Sequence, residues 1–136
     1  MKSSEYSKWA FALLRPCFVV LLLNVFCSTA SSDPLPLKGS YGNKDGCAYA
    51  KTGESTGSDD FFLLTSETVT TAASYCEFQK VLKSAKGSFR ATMACQEEGG
   101  DEAGTSFEID VTPSGKDTYT LKFDDGTVWG PLKLCK

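Results

Sequence analysis

The sequence contains no histidine among its 136 residues, and this absence excludes several kinds of functional site. Histidine is the side chain most often used for proton transfer near neutral pH, and it is the commonest metal ligand in proteins. Catalysis by Ser-His-Asp or Cys-His groups is therefore excluded, as are zinc sites that include histidine. We expect a protein that is not an enzyme and that has no catalytic residue, no metal site and no other cofactor.

Basic residues are also few. The 14 Lys and Arg residues are outnumbered by 17 Asp and Glu residues, which gives a net charge of -3 and a pI of about 4.9. Nucleic-acid binding needs clusters of lysine and arginine, so no nucleic-acid partner is expected. After residue 30 the only arginine is Arg90. Clamping of phosphate or carboxylate ligands by several arginines is therefore disfavoured.

Residues 1–30 have the order of a secretory signal peptide. Lys2 and Lys8 precede an apolar stretch, residues 9–26, and the small residues Ser28-Thr29-Ala30 follow it. A basic start, an apolar centre and a small-residue cleavage site are typical of such peptides. We therefore expect a signal helix that is removed after residue 30 and a protein that is periplasmic or secreted. The exported chain keeps 11 basic and 16 acidic residues, a net charge of -5.

Two alternatives to cleavage involve the same segment. A retained membrane anchor needs about 20 apolar residues, whereas Arg15 and Pro16 leave an apolar core of only residues 17–26, which includes Asn24. Lipidation of Cys27 requires a small preceding residue, and Phe26 is bulky. We expect no membrane span after cleavage, a short linker at residues 31–36, and a single domain over residues 37–136.

The cysteines of the exported chain predict two disulfides. Four cysteines follow residue 30, namely Cys47, Cys76, Cys95 and Cys135. An even number in a short exported chain is typical of a disulfide framework. A turn between predicted strands at 75–83 and 88–96 places Cys76 opposite Cys95, at the close Cβ distance of cross-strand neighbours. We prefer the pairs Cys76–Cys95 and Cys47–Cys135; Cys47–Cys76 with Cys95–Cys135 is the alternative.

The apolar residues after residue 30 recur with a period of two, which predicts an all-β domain. Residues 105–112 and 117–124 alternate most regularly, and residues 61–65 and 67–72 form a predicted hairpin. Extended segments are expected at 37–42 and 47–50. Because nearly every connection looks like a hairpin, we expect seven or eight short strands in an antiparallel up-and-down barrel, lipocalin-like and braced by the two disulfides.

Trp129 is a candidate contact for a protein partner. The predicted hairpin at Asp125-Gly126 pairs Phe123 with Val128, and this register places Trp129 on the outside of the barrel. An exposed tryptophan can anchor a partner. In the alternative, Pro131 causes a bulge that returns Trp129 to the core or to an open end of the barrel.

Two acidic loops and an aromatic group are further candidates. Glu54, Asp59 and Asp60 lie on a predicted surface loop at 51–60, and a second acidic loop covers 97–102. Their oxygens could bind calcium, but their spacing lacks the EF-hand pattern of calcium sites. Exposed loops are usually polar because they are solvated. We keep the first group as candidate partner contacts. The aromatic residues that are candidates either for lining a ligand site or for core packing are Tyr41, Phe61 and Phe62.

Four short motifs together resemble a loose group of small exported four-cysteine β proteins of bacteria. They are Gly39-Ser40-Tyr41 with Cys47, Cys76-Glu77-Phe78, Cys95-Gln96-Glu97-Glu98-Gly99, and the terminal Cys135. The resemblance implies a periplasmic compartment and a small β-fold, and it supplies no catalytic residue. The expected architecture is also similar to small periplasmic barrels that inhibit lysozymes or proteases, at the level of fold alone.

These observations predict a monomeric exported domain that binds a protein partner at the cell envelope. Three alternatives remain open, one of which is an enzyme that uses carboxylates and requires two acids with perturbed pKa values in one concave site. A barrel that carries a small apolar ligand requires an internal cavity of about 300 Å³ or more. An inhibitor of an exogenous hydrolase requires an exposed surface complementary to that enzyme.

Overall fold

The computed structural model describes residues 32–100 and 104–136, and in it every strand pairs with the next along the chain. The strands are β1 (Tyr41–Gly42), β2 (Phe62–Leu64), β3 (Thr68–Thr71), β4 (Ser74–Ala85), β5 (Ser88–Glu97), β6 (Thr105–Gly115), β7 (Thr118–Phe123) and β8 (Val128–Leu134). All pairs are antiparallel, and β8 also pairs with β1, which closes the barrel. The predicted up-and-down barrel is confirmed.

Some predictions fall outside the described residues. These are the signal peptide at 1–30, the alternatives that involve Cys27, and Asp101 and Glu102 of the second acidic loop. In the described part of the chain, no helix is both long enough and apolar enough to cross a membrane.

Up-and-down connectivity divides the loops between the two ends of the barrel. The connections β1–β2, β3–β4, β5–β6 and β7–β8 lie at one end, which we call the mouth. The connections β2–β3, β4–β5 and β6–β7 lie at the other, which we call the closed end. Every second loop therefore shares an end.

Side chains that alternate along the strands fill the interior. On β5, Phe89, Ala91, Met93 and Cys95 point inward and are at most 5% exposed, while the residues between them lie outside. One buried and one wet face is the pattern expected of an antiparallel sheet. The other fully buried core residues are Leu35, Leu64, Val69, Cys76, Phe78, Ile109, Val111, Leu121 and Leu132.

The segment predicted as a linker covers the closed end. Residues 32–36 form no helix or strand, yet Leu35 is only 1% exposed and packs in the core. Its backbone N–H donates to the carbonyl of Ser66 in the β2–β3 connection at 2.7 Å, and Asp33 N–H donates to the carbonyl of Gln79 at 3.3 Å. The chain before β1 thus crosses the end of the barrel and places an apolar side chain in it.

Residues 44–52 form helix α1 (Lys44–Thr52), so the predicted extended segment at 47–50 is wrong, and the predicted first strand at 37–42 shortens to Tyr41–Gly42. Asn43 caps the helix, because its Oδ1 accepts the N–H of Gly46 at 2.9 Å. Gly53 ends the helix in the left-handed conformation, with φ of 72°. At Gly46 an added Cβ would lie 1.9 Å from the carbonyl oxygen of Phe62, so only glycine lets α1 pack this closely on β2.

Both predicted disulfides are formed. Cys76 and Cys95 lie opposite each other in β4 and β5, with Cα atoms 3.9 Å apart. Cys47 in α1 is bonded to Cys135, which follows β8, with Cα atoms 5.1 Å apart. The alternative pairing is thereby excluded. Such a framework indicates an oxidising, extracytoplasmic environment.

The register of the β4–β5 hairpin changes along its length. Phe78 pairs with Met93 as predicted, but Phe89 pairs with Ser84, and the predicted pair with Leu82 is wrong. Two irregularities, between Phe78 and Lys80 and between Val81 and Lys83, insert extra residues into β4. Such bulges shift every later side chain. Leu82 is one of the extra residues, and it is 44% exposed.

Candidate functional site

Trp129 lies at the mouth of the barrel with its ring among the inward-facing residues. It pairs with Leu121, and Val128 pairs with Lys122, so the register that placed Trp129 outside is wrong. Because the partner of Tyr119 is Leu132, two residues of β8 (Gly130 and Pro131) oppose a single residue of β7. This is the bulge of the alternative prediction. Val128 takes the outer position and is 54% exposed.

Four aromatic side chains form a cluster at the mouth, which we call the mouth cluster: Phe62, Phe107, Phe123 and Trp129. The rings of Phe123 and Trp129 are 4.5 Å apart at an angle of 64°. Phe62 lies 5.7 Å from Trp129, and Phe107 lies 5.9 Å from Phe123. Phe123 is 7% exposed, whereas the other three are half-buried and keep contact with solvent. The core therefore ends here in an aromatic surface that the chain leaves partly uncovered.

A cavity of about 170 Å³ opens at this surface. Phe107, Phe123 and Trp129 line it together with Cys95 of the buried disulfide, and Glu97 and Asp125 stand at its border. An engineered protein cavity of about 150 Å³ holds one benzene molecule, whereas sites for drug-sized ligands have about 300–1,000 Å³. The cavity therefore has room for one side chain or a group of similar size.

The border of the cavity is acidic. Glu97 and Asp125 are both exposed. The Asp125 carboxylate accepts the backbone N–H of Thr127 at 2.7 Å, and this hydrogen bond holds the pKa of the Asp125 carboxyl below its usual range. Asp125 therefore carries its negative charge across the neutral range.

Acidic residues also predominate in three of the four connections at the mouth and at the end of β5; the β3–β4 connection, Ala72-Ala73, is uncharged. Among the described residues, the acidic members are Asp45, Glu54, Asp59, Asp60, Glu97, Glu98, Asp124 and Asp125, and the basic members are Lys44 and Lys51. At the closed end, the connections and terminal segments contain Lys38, Lys86, Lys116 and Lys136 beside Asp33, Glu67 and Asp117. Asp124 is paired with Arg90, but the other acidic residues still outnumber the two lysines at the mouth, while charges at the closed end nearly balance.

The candidates from the sequence do not all meet at one place. Glu54, Asp59 and Asp60 are exposed on the β1–β2 connection, but none of them lines the cavity beside Trp129. Glu97 and Asp125 occupy that border, and the sequence interpretation assigned them only to a loop and a turn. A usable signal was present, since alternate connections of an up-and-down barrel share one end.

The three aromatic candidates lie in three different places. Tyr41 is buried toward the closed end, where its ring meets Tyr119 edge-on at 4.9 Å. Phe61 packs under α1 against Tyr49 at 5.4 Å. Phe62 alone belongs to the mouth cluster. They therefore do not form a single ligand-lining group.

Arg90 forms an ion-pair network on the outer wall, away from the mouth cavity. Its guanidinium contacts Glu108 at 2.9 Å, Asp110 at 3.0 Å and Asp124 at 3.0 Å. Hydrogen bonds to these carboxylates raise the pKa of Arg90 above its usual value, and the bond to Glu108 contributes more than the bond to Asp124. With its donors occupied by three carboxylates, Arg90 links β5 and β6 to the end of β7.

Within residues 32–100 and 104–136, no three Cys, Asp or Glu side chains come together in a group that could hold a metal ion. Comparison of the chain with protein-family models, with curated proteins and with solved structures finds no match in any of the three.

Proposed function

We propose that the protein is a non-enzymatic, exported binding domain whose mouth takes a cationic segment of a protein partner at the cell envelope. The disulfides and the order of residues 1–30 support export, and the periplasm is the compartment that a bacterial envelope partner requires. The observation that carries the proposal is the mouth cluster, a partly uncovered aromatic surface at one end of an otherwise filled barrel.

Exposed aromatic residues are the usual anchors of protein interfaces. Tryptophan, tyrosine and arginine are the residues most often found to dominate binding energy, in pockets near the centre of a contact. Here Trp129 and Phe107 are half-buried around a cavity that accepts one side chain. The bound chain would complete the core at the mouth as Leu35 completes it at the closed end.

The charge of the mouth selects the kind of partner. A lysine or arginine side chain can lie over an aromatic face within about 6 Å, and Trp is the best such face. Glu97 and Asp125 stand at the border of the same cavity and offer carboxylates to the cationic group. The acidic excess of the surrounding connections would also accelerate encounter with a basic surface.

The packing of the interior favours a protein partner over an enclosed small ligand. The side chains below the mouth cluster, such as Met93, Ile109 and Leu121, have no exposed surface and belong to one packed hydrophobic core. The space at the mouth, about 170 Å³, is smaller than the sites that usually enclose a drug-sized ligand.

Photo-crosslinking in the producing organism would identify the partner. A photoreactive amino acid at Thr127, which is exposed and lines the cavity, leaves Trp129 in place. We expect a specific adduct with an envelope protein whose crosslinked segment is basic. An adduct with an acidic segment, or adducts equally abundant from a photoreactive residue at Leu82 on the outer wall, would contradict the proposal.

Affinity measurements on the purified pair provide the second part of the test. We expect Trp129→Ala to weaken binding about tenfold or more, Leu82→Ala to leave it within about twofold, and added salt to slow association. Trp129→Phe, which keeps an aromatic ring at the mouth, should lose less than Trp129→Ala. Equal affinities for all three variants would disprove the role of the mouth.

A further inference from the structure

A second cleft lies on the outer wall, between the β1–β2 connection and β3. Its volume is about 320 Å³, and it shares no lining residue with the cavity at the mouth. Phe61 and Tyr49 form its aromatic part, and the polar part contains Ser55, Ser58 and Asp59 of the connection. Thr70 faces it from β3.

The polar groups of the cleft are held in place and still have unused hydrogen-bonding capacity. Ser55 Oγ accepts the N–H of Gly57 at 3.1 Å, and Ser58 Oγ accepts the N–H of Asp60 at 3.2 Å. Each of these contacts fixes a serine oxygen as an acceptor and leaves its O–H free to donate. Within the described part of the chain, the Asp59 carboxylate has no cationic partner at salt-bridge distance.

The aromatic wall is equally fixed. Tyr49 lies in the last turns of α1, and the N–H of the capping residue Gly53 donates to its carbonyl at 2.8 Å. The Tyr49 ring meets Phe61 edge-on at 5.4 Å and 88°, and Phe61 is only 6% exposed. Thr70 belongs to a strand of the barrel. A site built on such elements keeps its geometry better than one built on a loop alone.

From this arrangement we infer that the cleft binds a neutral carbohydrate. A sugar ring presents many hydroxyl groups, each a donor and an acceptor, and the serine and threonine hydroxyls match both roles. A carboxylate such as that of Asp59 can accept two neighbouring sugar hydroxyls with its two oxygens. The apolar C–H face of the ring fits an aromatic wall.

Charge and size narrow the class of ligand. No lining residue is basic, and Asp59 would repel an anionic ligand, so phosphorylated or acidic sugars are disfavoured. The volume of about 320 Å³ is at the lower limit of small-molecule sites, which indicates that one or two sugar rings contact the protein. The inference stands on these residues alone and does not depend on the partner proposed for the mouth.

Amide NMR spectra of the purified protein, titrated with cellotriose, maltotriose, mannotriose and tri-N-acetylchitotriose up to about 20 mM, test the inference. We expect at least one of these sugars to cause saturable shifts at residues 55–61 and 70–72. The absence of saturable shifts with all four, or shifts confined to the surroundings of Trp129, would overturn it.

Three variants that remove single polar groups sharpen the test. Asp59→Asn, Thr70→Val and Tyr49→Phe should each weaken the binding about fivefold, the usual effect of one lost hydrogen bond. Thr92→Val is the matched control, since Thr92 is also an outward-facing threonine on a strand but lies outside the cleft. The dispersion of the amide spectra reports whether each variant is folded. Unchanged affinity in all three variants would show that the sugar binds elsewhere and overturn the assignment.

Discussion

The two ends of this barrel are completed in opposite ways. At the closed end, the chain before β1 crosses the opening and inserts Leu35, which is 1% exposed. The same end contains Tyr41, Phe89 and Tyr119, and the Tyr119 ring contacts the other two rings. At the mouth, no described segment crosses the opening, and half-buried aromatic rings face a cavity between acidic residues.

If the mouth binds as we propose, this difference separates the residues that stabilise the fold from those that bind the partner. Apolar surface removed from water stabilises the fold by about 25 cal/mol for each Å², and the closed end realises this gain within its own chain. The mouth leaves part of the same kind of surface for another molecule to cover. Truncation of apolar side chains at the closed end should therefore change stability, and truncation of the half-buried aromatic residues of the mouth cluster should mainly change binding.

Removal of the disulfides should give the largest effects. Cys47–Cys135 spans 88 residues, and Cys76–Cys95, near the mouth, spans 19. The N–H of Cys135 also donates to the carbonyl of Ser40, in the chain before β1. Because a longer loop loses more entropy when it is closed, the double variant Cys47→Ser/Cys135→Ser should lose about 4.5 kcal/mol of unfolding free energy and Cys76→Ala/Cys95→Ala about 3 kcal/mol. Urea denaturation measures both, and the reverse order would contradict the dependence on loop length.

Leu35→Ala should come next. Truncating a fully buried leucine costs about 2–5 kcal/mol, and we expect about 3 kcal/mol here. Val128→Ala at the mouth is the matched control, since Val128 is 54% exposed and its truncation should cost less than about 0.5 kcal/mol. Thermal and urea unfolding measure both variants. A loss below about 1 kcal/mol for Leu35→Ala would show that the covering segment contributes little.

The smallest predicted effect concerns alkaline pH. Burial, followed by the proximity of Tyr119 and Asp117, raises the pKa of the Tyr41 hydroxyl. Its folded pKa then exceeds the unfolded value of about 10, so its contribution to stability is complete below that pH and is lost as the pH rises through the folded pKa. The free energy of unfolding should therefore fall less between pH 7 and high pH in Tyr41→Phe than in the wild type.

Tyr75 provides the comparison from the mouth end. Its pKa is also raised, by burial and by the hydrogen bond from its hydroxyl to Glu77, but the residue is 43% exposed. Tyr75→Phe should therefore change the loss of stability at alkaline pH less than Tyr41→Phe does. Stability measured from neutral to alkaline pH tests both, and an equal effect of the two variants would argue against a drier environment at the closed end.

The barrel, its central strands and Cys76–Cys95 were predictable because their signals are local and regular, and Cys47–Cys135 followed as the remaining pair. Alternation within residues 88–96, 105–112 and 117–124 sets which side chains point inward, and a short turn places Cys76 beside Cys95. Helix α1 was missed although Asn43 and Gly53 stand at its boundaries. Its nine residues show no sustained apolar face, and the packing that stabilises it is the contact of Gly46 with β2.

The candidate site was only partly predictable, since it depends on register and on which loops meet. Trp129 was recognised, but a bulge at Gly130 and Pro131 decides the direction of its ring. The β7–β8 connection is also longer than a two-residue turn, because Phe123 N–H donates to the carbonyl of Thr127. Glu97 and Asp125 become a site only through the cavity between them, which no single segment of sequence encodes.

The uneven distribution of charge gives the molecule an electric dipole along the barrel axis. A negatively charged surface, such as a leaflet of anionic lipids, would repel the acidic mouth more strongly than the closed end with its four lysines. The Debye length is about 10 Å at 0.1 M salt, so this repulsion acts only close to the surface. At that distance the molecule would turn its mouth away from the surface. The distribution of charge would then leave the mouth facing the surrounding solution.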